Sequence, residues 1–101
     1  VVNAYKDELA RLLESFGSNV RQIRLAKTPP LSQERLASEA GLHRNEIGKI
    51  EQGTIEPRLT TLMILAEGLN VSLDELLGGL SAPVERRPTP SSGSWRPVPR
   101  K

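Results

Sequence analysis

Four polar side chains, His43, Arg44, Asn45 and Lys49, stand close together in the stretch LHRNEIGKIEQG. Wound as a helix at about 100° per residue, the stretch turns Ile47 and Ile50 to one side, with Glu51 at its edge. Asn45, Lys49 and Gln52 fall opposite, Gly48 lies beside them, and Arg44 sits on a flank near the start. Such a face offers an amide, which both donates and accepts, and two cations, which only donate. These are the groups that match base edges in a major groove. An Asn amide bridges the acceptor and donor of adenine, and Arg or Lys meets the two acceptors of guanine. A merely solvated surface is the competing reading, and charge alone does not choose between them.

Other chemistries are poorly supplied. There is no cysteine, so disulfides and thiolate metal sites are excluded, and a single histidine cannot build a histidine-rich metal site. Asp74-Glu75 is a carboxylate pair, yet both fall in the first turn of a helix, where a cap and the helix dipole account for them. With no nucleophile–base pair, metal cluster or phosphate loop visible, neither an enzyme nor a cofactor is expected. No apolar run approaches the roughly 20 residues of a membrane span, and no signal-peptide pattern opens the chain. A cytoplasmic location without membrane contact is the expectation.

The elements that must position these groups can be read from periodicity and stop signals. AYKDELARLLESF puts Tyr5, Leu9, Leu12, Leu13 and Phe16 at helical spacing, and SNVRQIRLA continues with Val20, Ile23 and Leu25. One helix or two are both open, because Gly17 weakens a continuous helix by about 1 kcal/mol and Ser15 or Ser18 could cap a new one. Pro29-Pro30 ends the segment, its first ring disfavouring helical geometry at Thr28. Ser32 then suits an N-cap for QERLASEA, with Gly41 as the stop. Leu36, Ala37 and Ala40 face inward on that helix, and Ala37 and Gly41 are small where it and the next one must approach. In the third helix Leu42, His43, Glu46 and Ile47 occupy N′, N-cap, N3 and N4, predicting a hydrophobic staple and a Glu46 that reaches back. LTTLMILAEGL and a final helix opened by the capping box Ser72-Leu-Asp-Glu75 complete an all-α domain of five helices, or six if the first segment is divided.

In this order and spacing, "VRQIR", "LSQERLASEAGL", "IGKIEQG", "EPRLTTLMILAEGL" and "VSLDELL" resemble the Cro/repressor-type (XRE-type) helix-turn-helix DNA-binding domain. The resemblance runs from Phe16 to about Leu77, roughly three-fifths of the chain. It implies a five-helix lambda-repressor-like domain over 16–80, preceded by an extra helical segment over 1–15 and followed by a tail over 81–101. Gln33 matches the position that touches phosphate and braces the recognition helix. His43, Arg44, Asn45 and Lys49 match positions that meet base edges or nearby phosphates. Thr54 and Arg58 match a loop that commonly meets the backbone or minor groove, and Arg24 and Glu51 a partly buried ion pair. Gln33 and the free amides at the second helix's start suit a phosphate, Ser32 beside them counts among the DNA-binding residues, and Gly48 would let the backbone approach the groove, though a tolerated accident is its plain alternative. Double-stranded DNA is thus the implied partner, bound by a homodimer on two half-sites. A protein-interaction or antitoxin-like module, with some other protein as partner, is the alternative.

Departures stand beside the likeness. KTPPLS is longer and stiffer than the family's usual glycine-containing turn. Glu46 and Glu56 lie near a surface meant for a polyanion, and His43 stands where Ser or Thr is more usual. Net charge is only +2 and is carried by the tail, where Arg86, Arg87, Arg96, Arg100 and Lys101 face a single Glu85. That Pro/Ser/Arg-rich tail, with Trp95 its one large apolar residue, reads as disordered; it is either a solvated terminus or a source of phosphate contacts. The Leu9, Leu12, Leu13, Phe16 stripe either covers the domain's own core or adds a dimer surface.

Overall fold

A computed structural model describes residues 4–83 of the chain, and within them every regular element is helical. The tail from residue 84 onward, Trp95 included, lies outside the described residues. Five helices follow in order: α1 Ala4–Leu25, α2 Gln33–Ala40, α3 Arg44–Gln52, α4 Leu59–Leu69 and α5 Leu73–Leu76.

Local chemistry explains most of the ends. Ser32 caps α2 by accepting from the Arg35 N–H at 2.9 Å, and Ser72 and Glu75 close a reciprocal capping box on α5. Gly41 and Gly53 end α2 and α3 in left-handed conformation, as does Asn70 after α4. The small size of Gly41 has a different cause from the one expected. A β-carbon there would meet nothing within 4 Å, whereas its φ of +69° is one that side chains disfavour. Backbone geometry, and not the proximity of α2 and α3, demands glycine at this turn.

The first segment is one helix, unbroken through Gly17 and across the boundary expected at residue 15. The glycine permits contact. A β-carbon at Gly17 would lie against the Ile50 carbonyl oxygen and 2.5 Å from that of Glu51, so α1 crosses the last turn of α3 with backbone nearly touching backbone. Farther along, the Asn19 amide donates to the carbonyls of Leu76 (3.1 Å) and Gly78 (2.9 Å), which ties α1 to the end of α5. α2 packs on α3 and α4, and α4 on α5.

Between these helices lies a core of Phe16, Val20, Leu36, Ile47, Ile50, Leu65, Leu69 and Leu76, with Ala37 and Ala66 filling the narrower gaps. Burying each large side chain stabilises the fold by about 1.5–3 kcal/mol. Of the N-terminal stripe, Phe16 belongs to the core, while Leu9, Leu12 and Leu13 are half-buried. Leu12 and Leu13 line a shallow apolar groove with Pro57, Leu62 and Leu80. No helix among the described residues is long and apolar enough to cross a membrane, and none of their acidic or histidine groups cluster as metal ligands would.

Candidate nucleic-acid interface

Ile47 and Ile50 are buried to within 1 % of completeness, and this anchors the rotation of α3. With that side inward, Arg44, Asn45, Lys49 and Gln52 stand exposed on the outer face, as their angular positions require. They share an open cleft with half-buried Gly48 and with Gln33 from the start of α2. Two successive helices packed on each other therefore present one polar surface, and Gln52, not singled out from the sequence as a site residue, belongs to it.

Arg44, Lys49 and Arg58 form no ion pair among the described residues, unlike Arg24 with Glu51 and Arg35 with Glu39. The two cations of the cleft, Arg44 and Lys49, are thus uncompensated by neighbours and available to an anion. Glu46 and Glu56 are likewise without a cationic partner, so the surface is mixed and its positive character is local.

His43 occupies the N-cap of α3 and is exposed, yet its side chain makes no cap hydrogen bond. Glu46, expected to reach back to the N-cap, makes no hydrogen bond to it among the described residues, so neither half of a capping box is present. Leu42 nevertheless packs against the core cluster that contains Ile47, as a staple should. Ser32, exposed at the start of α2, accepts from the Arg35 amide and keeps its hydroxyl proton free to donate. Thr54 is committed elsewhere: its hydroxyl and its N–H both donate to the Lys49 carbonyl, at 3.2 and 3.0 Å, sealing the end of α3. Arg58 stands at the N-cap of α4 without a side-chain cap bond.

Beneath the cleft lies the most connected polar group of the fold. Arg24 donates from Nε to Glu51 Oε2 at 2.7 Å and from Nη2 to Oε1 at 2.9 Å, a two-pronged pair with both side chains buried. Its third donor, Nη1, reaches the Leu31 carbonyl at 2.8 Å, and the Leu31 N–H returns to the Arg24 carbonyl at 3.1 Å. The long KTPPLS connection is thereby fastened where it rejoins the domain. Gln33 Nε2 also donates to Glu51 Oε1, at 2.9 Å, which joins this buried pair to the outer surface. The family resemblance implied the pair but not its hydrogen bond to Gln33.

Comparison with known proteins agrees with this geometry. The helix-turn-helix family matches over residues 30–76. The control protein C.SmaI of Serratia marcescens is 45% identical over 64 residues, covering 63% of this chain and 74% of the relative. The control protein C.BamHI of Bacillus amyloliquefaciens is 45% identical over 62 residues, or 61% and 75% of the two chains. In three dimensions the chain is similar to the restriction-modification controller protein C.AhdI from Aeromonas hydrophila, with a TM-score of 0.61, 39% identity, and coverage of 66% of this chain and 97% of that one. The same segments that carry the exposed α3 face and the cap-defined turn before it carry these likenesses, and the chain belongs to the XRE-type helix-turn-helix family of DNA-binding transcriptional regulators.

Proposed function

We propose that this protein binds a specific duplex sequence as a homodimer, with α3 of each subunit in a major groove of one half-site. The observation that carries the reading is the division of α3 itself: Ile47 and Ile50 lock one side into the core while Arg44, Asn45 and Lys49 stand clear on the other. Doubling the site compensates for the few base contacts one small domain can make. Leu59 and Met63 on α4, 66% and 54% exposed, supply apolar surface for a subunit contact. Likeness to control proteins favours transcriptional control of a restriction–modification system, acting in the cytoplasm, over the alternative of an antitoxin-like interaction module.

Selecting bound sequences from a random duplex pool tests this directly. The expected result is an enriched motif in two inverted copies, centred about one helical turn apart; a pool that stays random would dismiss the reading. Asn45→Ala and Lys49→Ala should each weaken binding to the selected site by about 1–3 kcal/mol, Asn45→Ala with relaxed preference at one base pair. Unchanged affinity in both would favour the interaction module.

Gly48 gives a prediction with two signs. A β-carbon there would meet only Gln33 Oε1, at 3.9 Å, so the fold itself does not require glycine, which weakens a helix interior by about 1 kcal/mol relative to alanine. Gly48→Ala should raise stability towards urea by up to about 1 kcal/mol while lowering DNA affinity, because the backbone could no longer come as near the groove. Equal or better DNA binding by the stabilised variant would show that this glycine is incidental.

A further inference from the structure

Glu46 is the acidic side chain in the first turn of α3, and the fold makes no polar use of it. Its carboxylate forms no hydrogen bond or ion pair among the described residues, and the N-cap contact that its spacing suits is not made. At about 100° per residue it stands roughly 60° round the helix from Lys49 and 40° from buried Ile50, which accounts for its being half-buried. It therefore borders the outer face, on the flank away from Gly48 and Gln33. Ile47 and Ile50 are fixed in the core, so α3 cannot roll to carry it off that edge. The helix dipole tolerates an acid at this end. On a surface that meets DNA, however, a carboxylate weakens binding to every phosphate near it.

An ionised carboxylate carries no proton, so both its oxygens only accept. In the major groove the base edges that donate are the amino groups of cytosine and adenine, while guanine and thymine present acceptors that would repel it. Adenine sets the acceptor N7 beside its amino group and cytosine does not, so cytosine is the better match. The residues of a helix that reach base edges are those near its N-terminus, and Glu46 is the third residue of α3. We propose that Glu46 accepts from a cytosine amino group at one position of each half-site and excludes guanine and thymine there by repelling their acceptors. This deepens the DNA-binding reading and rests on it. Lys49, one turn further on and also without a partner, places a cation beside the carboxylate and limits its cost against phosphate. A charge that opposes DNA at large thereby becomes a means of rejecting wrong sequences.

The test uses the full chain and the random duplex pool, with Glu46→Ala and Glu46→Gln beside the unchanged protein. The unchanged protein should select cytosine at one position of each half-site. Glu46→Ala should lose that preference by about tenfold, the worth of a hydrogen bond to a charged group, and should bind duplexes lacking the cytosine more tightly than the parent does. Glu46→Gln, whose amide both donates and accepts, should move the preference towards adenine. Positions read by Asn45 and Lys49 should be unaffected. Urea unfolding of both variants should stay close to that of the parent, which separates lost reading from lost fold. A motif unchanged in both variants, with every sequence bound more tightly by one factor, would make Glu46 a surface charge only and overturn the inference. So would a motif without that cytosine, or relaxation at every position together. Each of these would leave the DNA-binding reading in place, whereas a random pool from the unchanged protein would overturn both.

Discussion

Glu51→Ala should lower the free energy of unfolding by about 3–5 kcal/mol, a large share of what a domain this small possesses. The magnitude follows from what the substitution leaves behind. Arg24 and Glu51 retain 8% and 5% of their side-chain exposure, and the carboxylate accepts three hydrogen bonds, two from Arg24 and one from Gln33. Without it the guanidinium stays buried with only the Leu31 carbonyl as partner, and the Gln33 amide loses its anchor. The penalty belongs to the stranded charge more than to the lost attraction, since a buried pair barely repays its own desolvation. The double replacement Arg24→Met with Glu51→Leu should therefore recover most of the loss. Urea titration of the single and double variants checks both halves. A loss below about 1 kcal/mol in Glu51→Ala would mean that water reaches the pair and that it behaves as a surface bridge.

Gly17→Val should destabilise by about 3 kcal/mol, the upper end for forcing volume into a packed seam. On helix propensity alone the replacement would be favourable, because glycine is the weaker helix former. Geometry reverses the sign. A β-carbon at Gly17 would sit 2.5 Å from the Glu51 carbonyl oxygen and 2.8 Å from its carbonyl carbon, and backbone atoms have no rotamer by which to withdraw. Relief would require α1 to lift from α3, which would uncover Phe16 and Val20 and disturb the helix that carries Asn45 and Lys49. Thermal and urea unfolding of Gly17→Val beside Gly48→Ala make a sharp comparison, with one helical glycine expected to resist replacement and the other to welcome it. If Gly17→Val were as stable as the parent, the close crossing of α1 and α3 would be wrong.

That contrast shows where reading a sequence succeeds and where it stops. The α2 and α5 caps, the glycine stops and the inward isoleucines of α3 were all legible, because each depends on groups within a turn or two of one another. The same locality misled at Glu46, whose spacing suited a side chain reaching back to the N-cap although it makes no such hydrogen bond. It misled again at Gly41, whose size suggested tight packing although its φ is the reason for it.

From its residues alone, this chain declared a helical domain of known family type and which face of α3 looks outward, since helical period and capping chemistry are short-range. Folding decided the rest: whether α1 runs unbroken through Gly17, which carbonyls that glycine meets, and that the Gln33 amide is held by the buried Glu51 carboxylate. The carboxylate that orients Gln33 lies 18 residues away along the chain, and the arginine that holds the carboxylate is 27 residues from it. Distances of that kind are set by the packing of helices against one another, and no local pattern encodes them.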